Sequence, residues 1–245
     1  MSRSNSELSV RVFKSKNELA RGAAEHFSEL ALQAVAARGR FSVALSGGST
    51  PQLLFSLLAV PPFATNLPWN SIHFYWGDER LVPPEDPGSN YYHASRLLLN
   101  HIPVPDENIH RIKGELPAAE AVHDTITQLQ KYRENERTWL RFDLVLLGMG
   151  SDGHTASLFP GTPGTEDPGV FVKSVNAVYE NRPAQRVTLT PPLINNARHI
   201  LFLVTGADKA QALSAVLNGP RDLEKWPAQR IQPDPAQLTW YIDQE

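Results

Sequence analysis

Apolar and polar residues alternate over positions 8–13 with the period of two of a half-buried strand, and Leu19, Ala23, Phe27, Leu30 and Ala34 then recur at helical spacing. A second strand is expected at 41–45. It runs into the turn Ser46-Gly47-Gly48-Ser49-Thr50, after which Pro51 opens a helix, where proline's fixed φ and missing N–H cost nothing. A third strand at 72–76 ends in Gly77-Asp78-Glu79-Arg80, and a proline-rich loop from 82 to 89 leads to a helix at 91–99. Val122, Ile126, Leu129 and Tyr132 mark a long helix before the apolar run 142–147, which suits a parallel strand buried on both faces. Further strands are expected at 170–174, 186–188 and 199–205, with a helix at 208–217.

This alternation predicts a three-layer α/β/α fold with a mainly parallel, Rossmann-like sheet, whose ligands sit beyond the C-terminal ends of its strands. Residues 1–245 are expected to form a single domain. Prolines 220, 227, 233 and 235 suggest an irregular C-terminal tail from about residue 219, with a short strand at 239–242.

Composition narrows the class. With 41% hydrophobic and 20% charged residues among 245, the chain falls in the globular range. A net charge of -3, with both signs mixed along the length, argues against nucleic acid or an anionic membrane as partner. The absence of cysteine removes disulfides, thiolate metal sites and a cysteine nucleophile. The polar first ten residues lack a signal peptide's apolar stretch, and no run approaches the roughly 20 apolar residues of a membrane helix, so a cytoplasmic protein is expected. The sequence carries no signal of oligomeric state, and a monomer is the expectation.

Four segments fall at expected strand ends: 46–50, 77–80, 148–154 and 205–209. In the first, Gly47, Gly48, Ser49 and Thr50 offer bare amides, hydroxyls and a helix N-terminus to an anion such as phosphate. A plain turn capped by Ser49 or Thr50 explains the same residues equally well. No Gly-Lys-Ser/Thr follows, so nucleoside triphosphates are disfavoured. In the second, Arg80 is suited to polarising a carbonyl or stabilising an oxyanion and Asp78 to positioning a hydroxyl, although charged turns are commonly just solvated.

The third, Gly148-Met149-Gly150-Ser151-Asp152-Gly153-His154, matches the spacing of a dinucleotide loop. Pro160 leaves too short a helix for one, however, and no acidic residue ends the next strand. With Met149 in place of the leading glycine before Ser151, it is not a nucleophile elbow either. What remains is His154 on a glycine-rich strand exit with Asp152 two residues away, a pairing suited to general-base chemistry; taken alone, it also fits a capped turn with a packed histidine. The other seven histidines show no ligand-like pairing, and neither metal nor cofactor is expected. In the fourth segment Lys209 can reach a phosphate from the start of the late helix, although a capped helix with a solvated lysine explains the same residues. Arg186 alone is uninformative.

Together, Leu45-Ser-Gly-Gly-Ser-Thr-Pro51, Trp76-Gly-Asp-Glu-Arg80, Ser89-Asn90, Leu147-Gly-Met-Gly-Ser-Asp-Gly-His-Thr-Ala-Ser-Leu-Phe-Pro160, Arg186-Val-Thr188 and Thr205-Gly-Ala-Asp-Lys209 resemble the 6-phosphogluconolactonase family. The resemblance covers most of the chain in order. It implies cofactor-free hydrolysis of a small phosphosugar lactone, 6-phosphoglucono-δ-lactone, to 6-phosphogluconate in the oxidative pentose phosphate pathway. It further implies His154 as the base, with the 47–50 turn, Arg186 and Lys209 on the phosphate and Asp78 and Arg80 at the sugar end. Related aminosugar-phosphate isomerases and deaminases share several segments, but they carry a glutamate five residues after this histidine, where the chain has Phe159. A sugar-phosphate sensor would have no use for Asp152 and His154.

Overall fold

In a computed structural model, which describes residues 9–133, 139–161, 167, 169–178 and 182–244, the apolar runs become the interior of a parallel sheet. Its strands are β1 (Ser9–Phe13), β2 (Phe41–Leu45), β3 (Ile72–Trp76), β5 (Leu144–Leu147), β8 (Ile200–Val204) and β9 (Leu238–Asp243), in spatial order β1-β9-β8-β5-β2-β3. Every residue of β2, β5 and β8 is buried, as strands covered on both faces must be. The covering elements are α1 (Lys16–Arg38), α2 (Ser49–Leu58), α3 (Phe63–Asn66), α4 (Asn90–Leu97), α5 (Ala118–Lys131), α6 (Pro191–Ile194) and α7 (Ala210–Asn218). The long α1 is delimited by its ends: Ser15 Oγ accepts from Glu18 N–H, and Gly39 takes the left-handed conformation with φ 72°. No helix among the described residues is long and apolar enough to cross a membrane.

The three-layer, mainly parallel architecture expected from the pattern is present, with several corrections. Strand β1 is an edge strand, largely exposed rather than half-buried, with Val12 56% exposed. Residues 77–80 are not a free loop. Asp78–Arg80 form β4, which pairs antiparallel with β7 (Gln185–Leu189), itself paired with β6 (Val172–Asn176), in a separate three-stranded sheet. Strand β6 starts two residues beyond its expected start, at Val172, where its pairing with β7 begins opposite Leu189. Helix α2 begins at Ser49, so Pro51 is its third residue, and Gly48, not a hydroxyl side chain, occupies the capping position. The helix expected at 208–217 opens with a 3-10 turn, Ala207–Lys209, before α7.

From residue 219 the backbone is irregular up to a strand at Leu238–Asp243, as expected, and only its packing was not anticipated. Strand β9 lies inside the sheet, paired with β1 on one side and β8 on the other, and Ala228, Gln229, Arg230 and Ile231 before it are buried. Prolines signalled irregular backbone there correctly, but irregular backbone can still be tightly packed.

Candidate active site

The C-terminal ends of β2, β3, β5 and β8 open on one cavity of about 250 Å³. Gly47, Gly48, Ser49, Thr50, Asp78, Arg80, His154, Arg186 and Lys209 all line it, and Asp152 stands behind His154. Among the described residues, no group of three or more His, Cys, Asp or Glu side chains could hold a metal ion.

The turn between β2 and α2 forms one wall. Gly48 has φ 109°, a conformation that side chains disfavour, and a Cβ at Gly47 would lie 2.0 Å from Asn90 Oδ1. Thr50 Oγ1 lies 2.7 Å from Thr205 Oγ1, joining this turn to the exit of β8. From that exit Lys209 reaches back, its Nζ donating to Thr205 O at 2.9 Å.

The small antiparallel sheet builds the opposite wall. Its register sets Arg80 directly across from Arg186, both buried, at 8% and 3% exposure. Like charges facing one another across a strand pair are unfavourable unless an anion joins them. Arg80 Nη1 donates to Gly88 O at 2.5 Å, but Arg80 Nε and Arg186 Nε and Nη2 have no hydrogen-bond partner among the described residues. Burial depresses the Arg186 pKa, with Arg80 acting the same way and Asp78 opposing both. Asp78 is held by Ser157 Oγ, which donates to Oδ2 at 2.6 Å, and by Asn90 Nδ2, 3.3 Å from Oδ1.

Glu79, between the two site residues of β4, points away from this chemistry. Its buried carboxylate accepts from the amides of Arg80, Asn90 and Tyr91, each at 2.7 Å, and from Ser89 Oγ at 2.9 Å. Burial raises its pKa and these four bonds oppose the rise. Glu79 thereby anchors the N-terminus of α4 and sets Asn90 against Asp78.

The His154 turn closes the site. Gly150 N–H donates to His154 O and Gly153 N–H to Gly150 O, both at 3.0 Å, with Gly153 at φ 77°. This folds the chain so that His154 Nδ1 lies 2.6 Å from Asp152 Oδ1, which also accepts from His154 N–H at 3.1 Å. A Cβ at Gly150 would come within 2.2 Å of the imidazole. Burial raises the Asp152 pKa, but the hydrogen bonds and charge of His154 outweigh it and hold the carboxyl below its ordinary value. An Nδ1–H donating to a carboxylate leaves Nε2 as the basic nitrogen. The ring stacks on Phe159, with centroids 4.6 Å apart, and the Arg186 guanidinium lies 5.2 Å from the same Phe159 ring. Ala156, at φ 48°, lines the cavity just beyond the turn in a conformation that costs a non-glycine residue energy.

Sequence reading passed over Asn90, Ser157 and Arg182, which the fold adds to the site. Asn90 and Ser157 lay inside segments already singled out, so a signal existed. Arg182 lines the cavity from an irregular stretch and left none.

Residues 14–240 match the family model described as glucosamine-6-phosphate isomerases/6-phosphogluconolactonase. The chain is 40% identical to the 6-phosphogluconolactonase of Haemophilus influenzae over 82% of its own length and 84% of that protein's. It is 40% identical to that of Synechocystis, over 87% and 86%. A solved 6-phosphogluconolactonase from Trypanosoma brucei superposes with a TM-score of 0.86 at 27% identity, covering 98% of this chain and 97% of the other.

Proposed function

The chain belongs to the glucosamine-6-phosphate isomerase/6-phosphogluconolactonase family, and from that premise we propose that it hydrolyses 6-phospho-D-glucono-1,5-lactone to 6-phospho-D-gluconate, with His154 as general base. The reaction belongs to the oxidative pentose phosphate pathway. The observation that carries this reading is the buried Arg80–Arg186 pair, with guanidinium nitrogens that have no partner among the described residues, sharing a cavity with a carboxylate-oriented imidazole. Arg186 suits a phosphate ester, Arg80 a developing oxyanion and the imidazole a proton transfer.

A δ-lactone is an activated ester, so a positioned water and base suffice without a covalent nucleophile. In the proposed course, water attacks the C1 carbonyl as its proton passes to His154 Nε2. Asp152, accepting from Nδ1, steadies the imidazolium that forms. Arg80 faces the carbonyl oxygen as it gains negative charge. Collapse of the tetrahedral adduct breaks the bond from C1 to the ring oxygen, which takes the proton back from His154 and leaves as the hydroxyl on C5. The 47–50 turn, with the N-terminus of α2, binds the 6-phosphate together with Arg186 and Lys209. Asp78 accepts from a sugar hydroxyl.

Phe159 also bears on the choice within the family. Stacked on His154, it puts no carboxyl beside the imidazole to assist the ring opening that an aminosugar substrate requires. A cytoplasmic monomer acting on this small molecule completes the proposal. Freshly generated 6-phosphogluconolactone should disappear faster with the protein than spontaneously, and glucosamine 6-phosphate should release no ammonia. Lactone loss at the spontaneous rate refutes the lactonase; ammonia release would make the chain a deaminase.

A further inference from the structure

Outside the cavity lining, residues 222–231 cross behind the His154 turn. Ala228 N–H donates to Gly153 O at 2.9 Å, and Gly161 N–H donates to Glu224 O at 3.0 Å. Between these ties Trp226 lies against Gly153 so closely that a Cβ there would come within 2.6 Å of Trp226 Cε3. Gly153 is therefore required twice, by its positive φ and by this ring.

The crossing segment is itself fastened. Gln229 Nε2 donates to Ala215 O and Pro220 O, both at 3.1 Å, while Gln229 Oε1 accepts from Asp222 N–H at 2.7 Å. Arg230 Nε donates to Leu223 O at 3.1 Å, and Asn195 Nδ2 donates to Arg230 O at 3.0 Å. Its backbone is irregular, but its polar groups are tied into the body of the protein.

We propose that residues 222–231 are a positioning strap for the catalytic base, with Trp226 as its point of contact. A turn built on Gly150 and Gly153 has little stiffness of its own, since each glycine frees backbone that a side chain would restrict. Asp152 travels with the turn, so its hydrogen bond to the imidazole does not fix where the ring stands against Phe159, whose segment Ser157 ties to Asp78 and Thr188. The strap ties the turn to a separate part of the fold. Trp226 touches no substrate in this arrangement; it acts through Gly153.

The inference rests on His154 being the base, so its test includes a readout independent of turnover. Trp226→Ala should lower kcat about 10- to 100-fold with KM within about twofold, the scale expected when a catalytic group drifts by about an ångström. Trp226→Phe, which keeps a ring against Gly153, should restore most of the rate. By NMR, with the His154 signals assigned through their loss in His154→Gln, the NOEs between the His154 and Phe159 ring protons should weaken in Trp226→Ala as the imidazole leaves its stacked position. Unchanged NOEs overturn the strap whether or not the wild-type protein hydrolyses the lactone. So does equal loss in both tryptophan variants, or a fall in kcat that only tracks the folded fraction by circular dichroism. Should Trp226→Ala not fold, Ala228→Pro removes the N–H tie to Gly153 O and answers to the same readouts.

Discussion

The two ends of the parallel sheet hold similar residue types and treat them differently. Near the N-terminal ends of its strands, Asp143 accepts from Arg38 Nη2 at 2.7 Å, Arg38 Nε at 3.1 Å, Ser42 N–H at 2.8 Å and Ser42 Oγ at 3.0 Å, a set that uses both of its oxygens. His73 Nδ1 lies 3.1 Å from His110 Nε2, and the two rings stack. At the C-terminal ends, Arg80 faces Arg186 with nitrogens that have no partner among the described residues, and a histidine held by its own aspartate looks into a cavity. Burial alone therefore does not mark function. Nor does a missing partner alone, since Tyr75 Oη beside His110 also lacks one among the described residues; what distinguishes the C-terminal end is that its partnerless groups are charged guanidinium nitrogens gathered at a cavity, where such a group costs about 1–3 kcal/mol or more until a ligand satisfies it.

Substitutions at the two ends should separate along this line. The largest effect is expected from His154→Ala, which should cut kcat by roughly 10²- to 10⁴-fold, the range of general-base contributions, while calorimetry still detects 6-phosphogluconate binding. Unchanged turnover would put His154 on the same footing as His110. Next, Arg186→Ala should raise KM about 10- to 100-fold, as loss of a charged hydrogen bond worth about 1.5–3 kcal/mol implies, with kcat little changed. Lys209→Ala should act the same way but more weakly, since Lys209 already donates to Thr205 O. A loss confined to kcat in either variant would contradict the phosphate assignment.

At the other end, Asp143→Ala should lower stability in chemical denaturation by on the order of 2 kcal/mol, with kcat and KM of the folded enzyme unchanged. An altered KM would undo the contrast between the two ends. The smallest effect concerns His110, whose pKa burial, and then His73, pushes down from 6.5 to about 4. As pH falls from 6.5, the unfolded chain gains a proton on this ring before the folded one does. The stability it contributes is complete above 6.5 and is lost toward about 4. His110→Phe should flatten the dependence of Tm on pH in that window, and an unaltered slope would remove His110 from the account.

Much of this was legible beforehand. The strands 41–45 and 72–76 coincide with those observed because a buried strand needs a largely apolar run, interrupted here only by Ser42 and His73, and local composition records that directly. The four strand-end segments were legible for a related reason: parallel strands all deliver their exits to one side. Less legible was β4, whose Asp78-Glu79-Arg80 reads as a solvated turn. It is a strand because β7, more than a hundred residues later, supplies its partner. The packing of the 219–237 stretch was equally illegible, since proline reports backbone geometry, which it did correctly here, and says nothing of what the backbone packs against.

The sequence by itself determined the parallel framework, the family and which residues could take part in the chemistry, because periodicity, glycine turns and the order of motifs are properties of the chain. Only the tertiary structure decided that Arg80 would face Arg186, that Glu79 would anchor a helix instead of meeting a ligand, and that the supposed tail would brace the His154 turn. Each of those depends on long-range pairing, whose partners no local pattern encodes.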